Sequence, residues 1–261
     1  MADRRERIGR REFIGRSLAG ASTLLVSGCY DVSGKPWFAG MLGKVENLTR
    51  AAQHLFAGPH TLAREFTKAD IAPLFRANGT LDPATPEYHA HAASFFRNWR
   101  VTVTGLVERP LSLSMDDIRK LPPRTQITRH DCVEGWSCIG EWTGAQLAPI
   151  LAAASPRPTA RYAVFYCADP MAVAGDPEHY YYESLALTEA NHPQTILAYR
   201  LNGAPLGVPY GAPVRLRAER QLGYKQPKYV QRIELVDDFK SIGGGKGGYW
   251  EDQGYQWYAG I

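Results

Sequence analysis

The residues able to do chemistry cluster in Arg129-His130-Asp131-Cys132-Val133-Glu134-Gly135-Trp136-Ser137. Cys132 sits where a strand-like run breaks into a glycine-containing loop. The flanking Arg129 and His130 favour a thiolate over a thiol at such a position. A thiolate serves two chemistries, nucleophilic attack and ligation of a soft metal. Taken alone, a single cysteine is more often a small core residue. A second cluster runs from Tyr210-Gly211-Ala212-Pro213-Val214-Arg215 to Gly223-Tyr224-Lys225-Gln226-Pro227-Lys228. It places an arginine and two lysines among glycine and proline, a setting that clamps an anion, Arg bidentately and Lys as a point charge. Lys225 is by default a solvated loop lysine.

Other motifs carry less. Gly243-Gly244-Gly245-Lys246-Gly247-Gly248 contains G-x-G-x-x-G, but no βαβ unit surrounds it, so a turn-rich surface loop is expected there rather than a phosphate cradle. The pairs His89-x-His91 and His130-x-Cys132 lack the tight four-ligand spacing of structural zinc. No C-x-x-C-H occurs, so no c-type haem is expected on this chain.

Together the motifs resemble the molybdopterin-binding domain of the sulfite oxidase type, which includes the exported catalytic subunit of bacterial methionine-sulfoxide reductases. The carrying residues are Cys132-Val133-Glu134-Gly135-Trp136-Ser137, Trp142-Thr143-Gly144 before an apolar helix, Leu197-Ala198-Tyr199 with Asn202-Gly203, Gly211-Ala212-Pro213-Val214-Arg215-Leu216, and Gly223-Tyr224-Lys225 with Lys228. The likeness covers roughly residues 70–240. It implies a mixed α/β fold around a molybdenum carried on the dithiolene of a pterin, with Cys132 ligating the metal. It further implies that Arg215 and Lys228 hold the pterin phosphate and that Asn78 contacts the pterin. Two departures lie near the implied cofactor: Tyr210 stands where relatives carry His or Asn, and Cys167 stands where the reductase has Thr. His130 and Arg129 are candidates for contacts behind the metal or to a substrate anion, on adjacency alone.

Several elements must position these residues. Trp99–Gly105 alternates with period two and predicts a half-buried strand. Ser114 with Asp117 opens a short helix ending before Pro122, and Thr143 with Gln146 predicts a capping box for a helix through Ala154, with Pro149 an awkward member. Further strands are predicted at 161–167, 195–200, 214–218 and 229–236, with a turn at Asn202-Gly203 and a short helix at 184–190. Residues 30–97 read as a wrapping segment with one helix after Asn47. With 25 Gly and 18 Pro in 261 residues, this irregular mixture predicts a single α+β domain with mixed β-sheets and short helices.

The net charge of +4 is unevenly placed: residues 1–28 hold six arginines against three acids, and the rest is 24 basic against 23 acidic. A nearly neutral body argues against nucleic acid as a partner. Arg10-Arg11-Glu12-Phe13-Ile14 before the apolar stretch Ser17–Gly28 reads as a twin-arginine export signal, too short to span a bilayer. It ends in Val26-Ser27-Gly28-Cys29, where Cys29 would carry lipid at a membrane surface. The expected organisation is a signal over 1–28, a linker and helix over 29–69, and a molybdopterin-binding catalytic domain over 70–261 in the periplasm.

The favoured function is an exported molybdenum oxidoreductase that transfers an oxygen atom to or from an S-oxide or a sulfite-like anion. Electrons would pass to or from a separate partner such as a membrane cytochrome. The alternatives are a non-catalytic lipoprotein that keeps the fold as a binding module, and thiol catalysis by Cys132 with His130. Nothing in the spacing predicts that Cys138 and Cys167 pair.

Overall fold

In a computed structural model, which describes residue 58, residues 61–171 and residues 180–261, the chain forms one mixed sheet and one antiparallel sheet joined by short helices. The elements in order are α1 (Pro86–Ala93), β1 (Arg100–Gly105), β2 (Leu111–Ser114), α2 (Met115–Lys120), β3 (Pro123–Asp131), β4 (Ser137–Gln146), α3 (Leu147–Ala154), β5 (Tyr162–Pro170), β6 (Tyr180–Ala186), α4 (Leu187–Ala190), β7 (Ile196–Leu201), β8 (Ala204–Pro205), β9 (Arg215–Arg217), β10 (Val230–Val236) and α5 (Tyr249–Asp252). The export signal, Cys29 and the helix expected after Asn47 lie outside the described residues.

One sheet has the order β2-β1-β10-β5-β6, in which β1 and β10 run parallel. Alternation made β1 predictable: Val101 and Val103 are buried while Thr102 and Thr104 reach towards solvent. They pack with Trp99, Ile118, Leu147, Leu151, Phe165, Ile233 and Leu235 in the larger core, each such side chain contributing about 1.5–3 kcal/mol by leaving water. The second sheet has the order β3-β4-β7-β8, with β9 also paired to β7. A smaller core of Phe75, Trp142, Ile196, Ala198 and Leu201 lies against it.

The capping box at Ser114 forms as predicted, its hydroxyl accepting from the Asp117 amide at 3.1 Å and its amide donating to the Asp117 carboxylate at 3.0 Å. The one expected at Thr143 does not. Thr143 lies within β4, opposite Thr125 and Arg200, and the helix begins only at Leu147. A Thr-x-x-Gln spacing fits a strand equally well, and here the paired neighbours on both sides decide. Starting at Leu147 also places Pro149 in the first turn of α3, where its missing N–H costs no helical bond. The helix expected over 184–190 is likewise shorter: Ser184, Leu185 and Ala186 belong to β6, and only Leu187–Ala190 is helical. The wrapping segment contains the unpredicted α1, opened by Thr85, whose hydroxyl accepts from the Tyr88 amide, and by Pro86. The glycine loop at 243–248 is turn-rich, and the Asp252 carboxylate accepts from the Gly244 and Lys246 amides.

Candidate active site

The β3–β4 hairpin presents Cys132. At its end the Cys132 amide donates to the Trp136 carbonyl at 2.9 Å and the Gly135 amide returns to the Cys132 carbonyl at 3.1 Å. The thiol opens into a cavity of about 180 Å³ that Asn78, Asp169, Tyr181, Gln226 and Lys228 also line. Three of the residues singled out in the sequence, Cys132, Asn78 and Lys228, therefore meet in one cavity although they come from distant parts of the chain.

Lys228, 7% exposed, donates to the carbonyls of Asn78 at 2.7 Å, Pro209 at 3.1 Å and Thr80. Burial, with Arg215 adding repulsion, pushes its ammonium down to about 7. Arg215 lies buried behind the cavity wall. Its guanidinium donates to the carbonyls of Gln226 at 2.9 Å and Tyr210 at 3.3 Å and stacks over Trp142. Its Nε has no hydrogen-bond partner, and burial followed by the charge of Arg217 lowers it to about 9. Both cations thus face carbonyls rather than a paired carboxylate. Asp169 shares the cavity with an unpartnered Oδ1, and burial raises its carboxyl.

The other candidates sit elsewhere. Arg129 points away from Cys132, pairs with Asp131 at 2.8 Å and lines a separate cavity. His130 is fully buried and turns towards Arg217, whose Nη1 lies 2.8 Å from its Nδ1. Burial, with Arg217 and Arg215 next, drives the imidazole well below its ordinary value, so it is neutral. The expectation that Arg129 and His130 favour a thiolate is therefore corrected. Burial raises the Cys132 thiol, opposed chiefly by the Glu134 amide. A bound metal would favour the thiolate at this sulfur against that shift. Tyr210 donates its hydroxyl to the Phe75 carbonyl at 3.0 Å. Cys167 is wholly buried opposite Val230, and burial raises its thiol strongly. Neither residue lines the cavity. Cys132, Cys138 and Cys167 are all free thiols.

Lys225 is not solvated. It is 1% exposed and bonds the fully buried carboxylates of Glu183 and Glu251. Sequence reasoning also passed over Asp169, which carries no motif, and Arg217, although its position two residues after Arg215 on a strand puts both on one face.

The family model described as the oxidoreductase molybdopterin binding domain matches residues 88–241, a span that takes in the Cys132 hairpin and both buried cations. The chain belongs to this family. It is an oxidoreductase with the α+β mixed-sheet fold expected above, and the cofactor of its family is a molybdopterin. A chain of Azospira oryzae, provisionally named as a subunit of a protein-methionine-sulfoxide reductase, is 34% identical over 96% of this chain and 87% of its own length. The catalytic subunit of the protein-methionine-sulfoxide reductase of Campylobacter jejuni is 34% identical over 54% of this chain and 50% of its own, and that of Xanthomonas campestris is 39% identical over 53% and 45%. The match thus spans about half the length of those catalytic subunits. Among solved structures, the sulfane dehydrogenase of Paracoccus pantotrophus aligns at a TM-score of 0.47 and 22% identity over 54% of this chain and 39% of that one.

The residues present fit a molybdopterin. A thiol at one part of the cavity suits a soft metal. Lys228 in the cavity wall and Arg215 behind it, both bonded to carbonyls and the latter with an unpartnered Nε, suit a phosphate.

Proposed function

We propose that this oxidoreductase reduces an S-oxide by two electrons, with Cys132 as the protein's metal ligand, Arg215 and Lys228 holding the pterin phosphate and Asn78 beside the pterin. The observation that carries this reading is the convergence of the Cys132 thiol and Lys228 on one cavity, with Arg215 behind its wall. When bound, the cofactor supplies a metal that exchanges an oxygen atom and two electrons with substrate. The balanced reaction is S-oxide plus two electrons and two protons to sulfide and water. The S-oxide direction is supported by the names of the relatives, which are protein-methionine-sulfoxide reductases. It is also supported by the cavity rim: Val133, Met171, Trp250 and Tyr255 would pack against an apolar sulfide and exclude water. Burial raises the Asp169 carboxyl inside the same cavity, which favours its taking up a proton there.

The electrons come from a separate protein, for which we propose a membrane cytochrome. We further propose that the Arg10-Arg11 segment exports the chain by the twin-arginine route to the periplasm, with Cys29 as a lipid attachment site. The decisive experiment assays the purified protein, prepared with ample molybdate, for molybdenum and released pterin beside Cys132→Ser. The wild type should carry both in proportion, and the variant should lose at least nine-tenths of its metal. A wild type that carries neither would sink the proposal. Turnover of a panel of sulfoxides and of sulfite then fixes direction. For the address, Arg10→Lys with Arg11→Lys should leave the precursor in the cytoplasm, and normal export would overturn it.

A further inference from the structure

Behind the cavity wall lies a buried chain of polar side chains that the reaction above does not use. The Glu219 carboxylate takes both ends of the Arg217 guanidinium, at 2.9 and 2.5 Å, and both side chains are fully buried. Arg217 also stacks on Trp142, 4.4 Å from the ring centroid, and Glu219 accepts from the Gln126 amide at 2.9 Å. Its fork therefore has one orientation. The remaining arm, Nη1, meets His130 Nδ1 at 2.8 Å. Arginine can only donate, so Nδ1 must accept and the imidazole proton must sit on Nε2.

That Nε2 edge faces the cavity wall. A Cβ on Gly223, which lines the cavity, would lie 2.6 Å from His130 Nε2, so only glycine leaves room for the ring. Gln226, also in the wall, has its side chain beside the same ring. Its Nε2 donates to the Gln221 carbonyl at 2.8 Å, which turns its Oε1 into a free acceptor, and its main-chain carbonyl holds Arg215. His130 Nε2 and Gln226 Oε1 are thus a buried donor and a buried acceptor on neighbouring side chains, each without a hydrogen-bond partner.

The two ends of this chain hold the two ends of the cofactor site. His130 is two residues from Cys132, and Gln226 is two residues from Lys228. We propose that Arg217 and Glu219 are positioning residues: through His130 and Gln226 they fix the hairpin that carries Cys132 to the wall segment that carries Lys228, and so set the distance between the metal ligand and the phosphate cations. The proposal rests on the molybdopterin reading of the site but not on the S-oxide as substrate.

The test uses the full chain loaded with cofactor and reads the cofactor rather than turnover. Because removing one charge alone would strand its partner, the variant is Arg217→Met combined with Glu219→Gln, which removes both charges at similar volume. It should fold, as circular dichroism would report, yet keep less than one-fifth of the wild-type molybdenum and pterin. The fraction retained should give a Mo(V) electron paramagnetic resonance signal split into more than one species. Gln226→Leu, which leaves the ion pair intact, should split the signal in the same way and decides the matter should the double variant not fold. Arg217→Lys, which restores a donor to His130, should recover part of the loading. Wild-type occupancy and a single unchanged Mo(V) signal in the folded double variant, or an unchanged signal in Gln226→Leu, would overturn the proposal. Failure of the cofactor reading itself would show separately, as a wild type without molybdenum.

Discussion

Lys228 gives the site a measurable pH signature. Burial and Arg215 hold its ammonium down at about 7, against 10.5 for an ordinary lysine. The unfolded chain therefore binds the extra proton between those two values, and the stability of the cofactor-free protein must rise with pH across that window. Below the window both states are charged and the cost of burying the ammonium is felt in full. Denaturant midpoints of the cofactor-free protein should climb from about pH 7 to about pH 10, while those of Lys228→Met should stay flatter and start higher. Parallel climbs in the two proteins would show that another group is responsible. A phosphate beside the ammonium opposes the shift, so the loaded protein should lose most of the difference.

The strands hold their registers through close approaches that leave no space for side chains. A Cβ on Gly144 in β4 would lie 2.2 Å from the Leu197 carbonyl of β7, so Gly144→Ala should force the two strands apart and cost about 1–3 kcal/mol or more. A denaturant midpoint equal to wild type would refute this. Such neighbours also explain how far the elements were legible in the sequence. β1 and β10 could be read because one face of each is buried and alternation survives in Val101 and Val103, and in Ile233 and Leu235. The lower half of β4 could not, since Thr143 and Gln146 imitate a helix start and only pairing with Thr125 and Ile196 makes them strand. α1 carried a readable signal in Thr85-Pro86, a cap followed by proline at the first helical position. Within the candidate site, Cys132, Arg215 and Lys228 could be singled out because each belongs to a local motif, and the structure brings Cys132 and Lys228 to one cavity. Asp169 and the link from Glu219 to His130 were not, because each depends on contacts between residues far apart in the chain.

At the scale of the whole molecule, Lys225 ties together three segments that wall the cavity. Its ammonium bonds Glu183 of β6, beside Tyr181, and at 2.5 Å Glu251 of α5, beside Trp250. Burial pushes the Glu183 carboxyl well up, and one lysine serves both acids. Lys225→Met leaves both acids without a cation and should cost about 3–5 kcal/mol. Adding Glu251→Gln should recover part of that in thermal denaturation, and no recovery would mean the two sites do not communicate. The rest of the C-terminal segment is stitched down as well, by the Trp257 indole N–H to the Ser184 hydroxyl at 2.8 Å and the Ile261 amide to the Arg220 carbonyl at 3.0 Å. The hairpin at Cys132 closes on its own short loop, whereas Lys228 reaches the cavity only once β9 and β10 have joined their sheets. During synthesis Cys132 emerges well before Arg215 and Lys228. On the proposed reading, a half-made chain would offer the thiol without either cation, and cofactor capture would report that nearly the whole polypeptide has been made.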